Sequence, residues 1–250
     1  MNKESPLSVI QPESPSIAAR IPVSLWFALT YPFVLTVIYF VFMNGKDTSS
    51  QNTVFSTLKL IQFSFPVVFA FLICRESIEL PVWKKPAMKL GFAFGGLILL
   101  LALGMYYGIL KGSAPYFHLK FKVLGKVDGF GLNSLWAYAA FATFYSLIHS
   151  AMEEYYWRWF VYKRLTRTIP ESLAIVISSL GFMAHHCVLM VVFFGLTSPL
   201  AYLFSFAVAL GGGFWAWLYG RSGNFLAVWL SHAIVDMALF IIGFDLIFKG

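Results

Sequence analysis

Two adjacent glutamates, an arginine four positions further on and a pair of neighbouring histidines are the residues here whose types and spacing could do chemistry. Glu153, Glu154 and Arg158 lie in one apolar stretch, with His149 four residues before Glu153. His185 and His186 lie in a second stretch, and His232 and Asp236 in a third. On a helix, Glu154 and Arg158 share a face and can pair, while Glu153 is turned ~100° away and stays free. His149 and Glu153 also share a face, as do His232 and Asp236. A glutamate beside two histidines is suited to activating water, either as a general base or with a bound metal that lowers the pKa of the water. An arginine on the second glutamate would keep that carboxylate charged and lock the helix. The same residue types would also serve a polar network that only joins helices, or a proton relay in a transporter.

The elements that must position these groups follow from composition. Of 250 residues, 59% are hydrophobic and only 12% charged. A soluble fold carries roughly a quarter charged residues, so this exterior faces lipid, and the chain is an all-α, polytopic transmembrane bundle. Apolar runs lie at Ile21–Met43, Val54–Cys74, Leu90–Leu110, Asn133–Lys163, Ser172–Phe194, Leu200–Tyr219 and Asn224–Phe248. Each reaches the ~20 residues a crossing needs. Seven spans result, with six or eight as the bounds, because Phe182–Phe206 has few strong breaks. Residues 1–20 read as a polar tail and residues 21–250 as a single membrane domain. The first run is too long for a signal-peptide core and lacks a small-residue cleavage site.

The net charge of +7 falls mostly between the apolar runs, where Lys and Arg meet lipid headgroups and fix topology. No basic face or stacking platform accompanies it, so nucleic acid is not an expected partner. If the spans alternate, ten Lys and Arg residues, from Lys3 to Arg221, fall on the side of the N-terminus and six on the other. This places the N-terminus in the cytoplasm; were the host prokaryotic, the membrane would be the plasma (inner) membrane. Cys74 and Cys187 lack CxxC partners and read as small membrane-buried hydrophobes.

An ionisable side chain at membrane depth costs ~2.5 kcal/mol or more, so each one is a functional hypothesis. Lys59 sits alone in the second run and receives no role; Asp245 reaches the interface at the end of the last. The other such groups fall on three helices only. At ~1.5 Å per residue, Glu153 lies ~15 Å, His232 ~12 Å and His186 ~21 Å from the cytoplasmic ends of their helices. One shared polar cavity is therefore allowed. Asn133–Lys163 contains no Gly or Pro, unlike the broken helices of transporters, and five histidines are too few for a di-iron membrane oxidase. The 27 Phe, 12 Tyr and 8 Trp fit interfacial belts or a groove for a lipid chain.

In chain order, Glu153-Glu154-Tyr155-Tyr156-Trp157-Arg158 reads EExxxR, Phe182 to His186 reads FxxxH, and His232 to Asp236 reads HxxxN with Asp in the last place. These motifs resemble the signature of the CPBP (Abi, CaaX protease and bacteriocin-processing) intramembrane proteases, related to the Ras-converting CaaX endoprotease. The resemblance covers Asn133–Asp236, within a catalytic core of about 133–248. It implies an endopeptidase in which Glu153 activates water with His186 beside it, and Glu154 and Arg158 pair and orient. His232 and residue 236 would stabilise the oxyanion, and Phe182 would set the rotamer of His186. Outside the motifs, His149 reads as a supporting residue one turn before Glu153, and His185, ~100° from His186, reads as lining the cavity or simply packing. The implied substrates are membrane-anchored, lipidated or hydrophobic polypeptides within membrane lipid. The implied cofactor is a divalent metal such as zinc, or none.

The aspartate at 236 departs from the motif, because an ionised carboxylate would repel an oxyanion where an amide would donate to it. Asp236 would have to be protonated by burial, orient His232, or ligate a metal with Glu153, His186 and His232. The rival reading is a non-enzymatic membrane protein: a small proton-coupled transporter, or an immunity or scaffold protein with the Glu–His cavity as an ion site.

Overall fold

The computed structural model describes residues 15–76 and 84–249, with side chains from residue 23 onward. The first fourteen residues of the expected polar tail lie outside the described residues, and its last six already belong to the first helix. Eight helices and no strand are found among the described residues. They are α1 (15–42), α2 (Thr48–Ile73), α3 (Lys85–Leu110), α4 (Ala114–Gly129), α5 (135–165), α6 (Glu171–Phe194), α7 (Pro199–Ser222) and α8 (Phe225–Lys249). The protein is thus an all-helical, polytopic bundle. Six of the helices, α1 through its segment Val23–Phe42 together with α2, α3, α6, α7 and α8, are long and apolar enough to cross a membrane. The remaining expected span is α5, which carries His149, Glu153, Glu154 and Arg158 through its middle.

The stretch between the third and fourth apolar runs, which carries Lys120, Lys122 and Lys126, is largely the helix α4. Its start signal is local: the Ser113 hydroxyl caps the Tyr116 N–H, and a proline occupies the first turn, where its missing N–H costs nothing. Helix α4 packs against α6 and the end of α8.

Helix α5 is the axle of the bundle. From Tyr156 to Leu165 it buries Tyr156, Trp157, Phe160, Val161, Tyr162 and Leu165. Around them stand Leu25 and Ala28 of α1, Phe69 of α2, Phe182 of α6, Trp215 and Leu218 of α7, and Val228 of α8. Lipid is as apolar as these side chains, so close packing and polar contacts hold the helices together. The Tyr156 hydroxyl donates to the Ala28 carbonyl (2.8 Å). Glu76, just past the end of α2, accepts from Arg164 (2.9 Å) and Arg167 (2.8 Å), tying the ends of α2 and α5. Two π-helical stretches, Phe144–His149 and Tyr155–Tyr162, flank the short α segment Ser150–Glu154. Such wider turns occur frequently at functional sites.

Two features fix α8, and hence His232. Gly223, left-handed at φ +63°, ends α7, and Asn224 caps α8 with its side-chain oxygen on the Ala227 N–H (3.1 Å). Its amide nitrogen also donates to the Lys84 carbonyl (3.2 Å), fastening the start of α3. Gly91 and Gly95, one turn apart on α3, then let the α8 backbone come close. A Cβ would stand 2.5 Å from the Ala227 carbonyl oxygen at the first and 2.8 Å from that of Ser231 at the second. Gly95→Leu is therefore expected to force the helices apart and destabilise by about 3 kcal/mol. The check is a lowered unfolding midpoint of the detergent-solubilised protein, with Gly96→Leu, which meets open space, as the control.

Candidate active site

The short α segment Ser150–Glu154 points two carboxylates in different directions. Glu154 is fully buried and faces Arg158, one turn on, at 3.1 Å. That is the pairing that the i, i+4 spacing requires. The guanidinium also donates to the Gly212 carbonyl of α7 (3.2 Å) and lies between the rings of Phe182 (4.8 Å) and Trp215 (5.2 Å). Glu154 has a second partner, since its Oε1 stands 2.8 Å from His232 Nδ1. A donated Nδ1–H fixes the imidazole so that Nε2 faces Asp236 Oδ1 (3.5 Å) and Glu153 Oε2 (3.8 Å). Trp215 stacks on the same ring, with centroids 4.3 Å apart and planes 20° from parallel, and its own N–H donates to Ser231. His232 is thus held on an edge by Glu154 and on a face by Trp215.

Glu153 turns into the opening among α5, α6 and α8. It is only 3% exposed. Its Oε1 lies 3.5 Å from His185 Nε2 and 4.0 Å from His149 Nε2. His186 lies beside His185, with centroids 4.1 Å apart and planes tilted by 47°, and its Nδ1 lies 2.9 Å from the Phe182 carbonyl oxygen. The Phe182 ring packs on His186 (4.6 Å) from one turn before it. Glu153, His185 and His186 each offer a ligand atom within 4.8 Å of the others. Both ring nitrogens of His185 are buried without a hydrogen-bond partner, and its ring lies parallel to that of Trp157.

All of the residues singled out in the sequence on the three helices converge: His149, Glu153, Glu154 and Arg158 from α5, Phe182, His185 and His186 from α6, His232 and Asp236 from α8. Sequence reasoning set His185 at the margin, yet its nitrogen is the nearest imidazole to Glu153. Of the expected metal set, Glu153 and His186 fall in the cluster with His185, whereas His232 meets the other carboxylate oxygen of Glu153 (3.8 Å) and Asp236 meets His232 (3.5 Å). The sequence reading named nothing on α7, which supplies Trp215 and the Gly212 carbonyl. The run Gly211-Gly212-Gly213 was the available signal, because a Cβ at Gly212 would press on Phe182 at 3.2 Å.

The fold and site define an integral, multi-pass membrane protein with a glutamate–histidine cluster enclosed between helices. Residues 134–238, the stretch that holds every one of these groups, match the family model described as type II CAAX prenyl endopeptidase Rce1-like. This agrees with the resemblance carried by the three motifs, and supports a CAAX-type intramembrane protease in general terms. No curated protein and no solved structure matches the chain.

Proposed function

We propose that the protein is an intramembrane endopeptidase that hydrolyses peptide bonds of membrane-anchored, lipidated or hydrophobic peptides, with Glu153 activating the attacking water. The observation that carries this reading is the Glu153 carboxylate, buried at the meeting of three helices with imidazoles 3.5, 3.8 and 4.0 Å away. Carboxylate and imidazoles thus converge on one point, where a single water can be held against them. Glu153 takes the proton of that water as general base and delivers it to the leaving amine. His232, held at Nδ1 by Glu154, presents Nε2–H to the developing oxyanion, and Asp236 balances its charge. An apolar groove of about 490 Å³ runs between α5 and α8, lined by Tyr138, Ala142, Ser146, Ile234 and Met237 among others. It suits the lipid chain or apolar side chains of a substrate. The site opens toward the cytoplasm in the orientation set by the lysines and arginines.

A divalent ion fits the donor set. Glu153, His185 and His186 supply the carboxylate and two imidazoles that zinc accepts, and the orphaned His185 nitrogens need a partner. There the ion would lower the pKa of the water. Metal analysis of the purified protein is expected to find about one zinc per chain, lost in His185→Ala. Cleavage by metal-free protein would assign the activation of water to Glu153 alone.

The experiment that tests the function compares protein termini in membranes of cells carrying wild type or Glu153→Ala at matched expression. New termini confined to wild type support proteolysis and identify the substrates. Identical termini, with the variant folded and inserted, would overturn the reading.

A further inference from the structure

A cleft of about 560 Å³ lies apart from the Glu153 site, between the end of α1, the start of α2 and the second half of α4. Tyr39 of α1, Asn44 in the turn that follows, Asn52 of α2, and Phe121, Lys122 and Lys126 of α4 stand in its walls, and none of the groups around Glu153 does. The first span ends at Phe42 and the second opens at Thr48. The cleft therefore sits at a membrane boundary, at the level of lipid headgroups. Its charge is unbalanced. Neither lysine forms an ion pair among the described residues, and Asp128 is the one carboxylate in the lining. The Lys126 ammonium is half-buried, 5.2 Å from the centre of the Tyr39 ring and 5.3 Å from that of Phe40. Burial pushes its pKa down, with no carboxylate close enough to offset the cost. Two lysines against one aspartate leave a single positive charge, which a group with a single negative charge neutralises.

Helix α4 supplies an independent observation. Its 16 residues span ~24 Å, and it is not among the six helices suited to crossing a membrane. One face buries Tyr116 and Val127. The opposite face leaves Phe117 and Phe121, one turn apart, 61% and 76% exposed. Lys120 and Lys122 stand ~100° to either side of Phe121. An exposed aromatic ridge between lysines is the pattern of a helix lying in the membrane interface, with rings among the acyl chains and ammonium groups at the headgroups.

We infer that α4 lies in the membrane interface and that the cleft beside it binds a phospholipid of the phosphatidylglycerol type, with a singly charged phosphodiester and a hydroxyl-bearing headgroup. Lys122 and Lys126 hold the phosphodiester through charge-assisted hydrogen bonds, which are stronger than neutral ones. The amides of Asn44 and Asn52 meet the headgroup hydroxyls, and the acyl chains leave over Phe121. The bound lipid bridges α1 and α2 to α4, which in turn packs on α6 and the end of α8.

The test uses the purified full chain in neutral detergent, with dioleoylphosphatidylglycerol as the probe. Binding is read by native mass spectrometry and by the rise in unfolding midpoint. Dioleoylphosphatidylcholine and glycerophosphoglycerol, the same headgroup without acyl chains, are the comparison probes. Phosphatidylglycerol is expected to bind about tenfold more tightly than either and to raise the midpoint. Lys122→Gln and Lys126→Gln should each weaken it about fivefold, and the two together about 25-fold. Lys120→Gln, outside the cleft, should leave the affinity within about twofold of wild type. The midpoint without lipid reports that each variant is folded. Equal binding of the two lipids, or wild-type affinity in the double variant, would overturn the assignment. Equal affinity for glycerophosphoglycerol would show that the cleft takes a soluble phosphodiester, and would overturn the lipid as its occupant.

Discussion

Glu153→Gln is expected to lower the cleavage rate of a lipidated peptide by about 10²–10⁴-fold, the range a positioned general base supplies. The amide keeps the size and one acceptor of the carboxylate but takes no proton. Glu153 is enclosed and makes no direct hydrogen bond to its three imidazole neighbours, so the substitution removes chemistry and leaves the packing in place. The check is product formation by mass spectrometry together with an unfolding curve that overlays that of wild type. Retained cleavage would move the reaction to another group in the cluster.

Arg158→Met is expected to have the largest effect on stability, about 3–5 kcal/mol, because it leaves a buried carboxylate without its counter-charge. The guanidinium is 2% exposed and touches four groups: Glu154, the Gly212 carbonyl, and the faces of Phe182 and Trp215. Methionine replaces the volume and none of the charge. Adding Glu154→Gln should recover part of the loss, since the stranded charge is then gone, and the double-mutant cycle measures the coupling. The readout is the unfolding midpoint in denaturant. Equal destabilisation by Arg158→Met with and without Glu154→Gln would show that the pair is not coupled.

These two residues also show how far the sequence is legible. Membrane spans come from apolar length alone, and the face-sharing of Glu154 and Arg158 comes from helix geometry, so both can be read without a structure. The convergence of α5, α6 and α8 could be guessed only from their shared load of polar residues, because nothing local announces a contact between distant helices. His185 could be read only as lining the cavity or packing, for a physical reason. Spacing gives the angle between neighbouring side chains on one helix, but not which of them faces the partner helix. Trp215 and Gly212 went unnoticed because a stacking ring and a backbone carbonyl carry no ionisable signature. Helix α4 went unread because it lies between apolar runs, although Ser113 and Pro115 already spelled a helix start.

The π-helical stretches on either side of Ser150–Glu154 have a consequence for how this protein can change. A wide turn holds one residue more than an α turn would, so removing a residue from Phe144–His149 lets the turn relax to ordinary α geometry. The wide turn takes up the loss, so the parts of the helix on either side keep their faces, and the same holds for Tyr155–Tyr162. The ordinary α turn of Ser150–Glu154 has no such slack. A residue lost there would swing His149 by ~100° relative to Arg158 and take the carboxylates from their partners. Length variation in this helix is thus tolerable within the wide turns and ruinous between them.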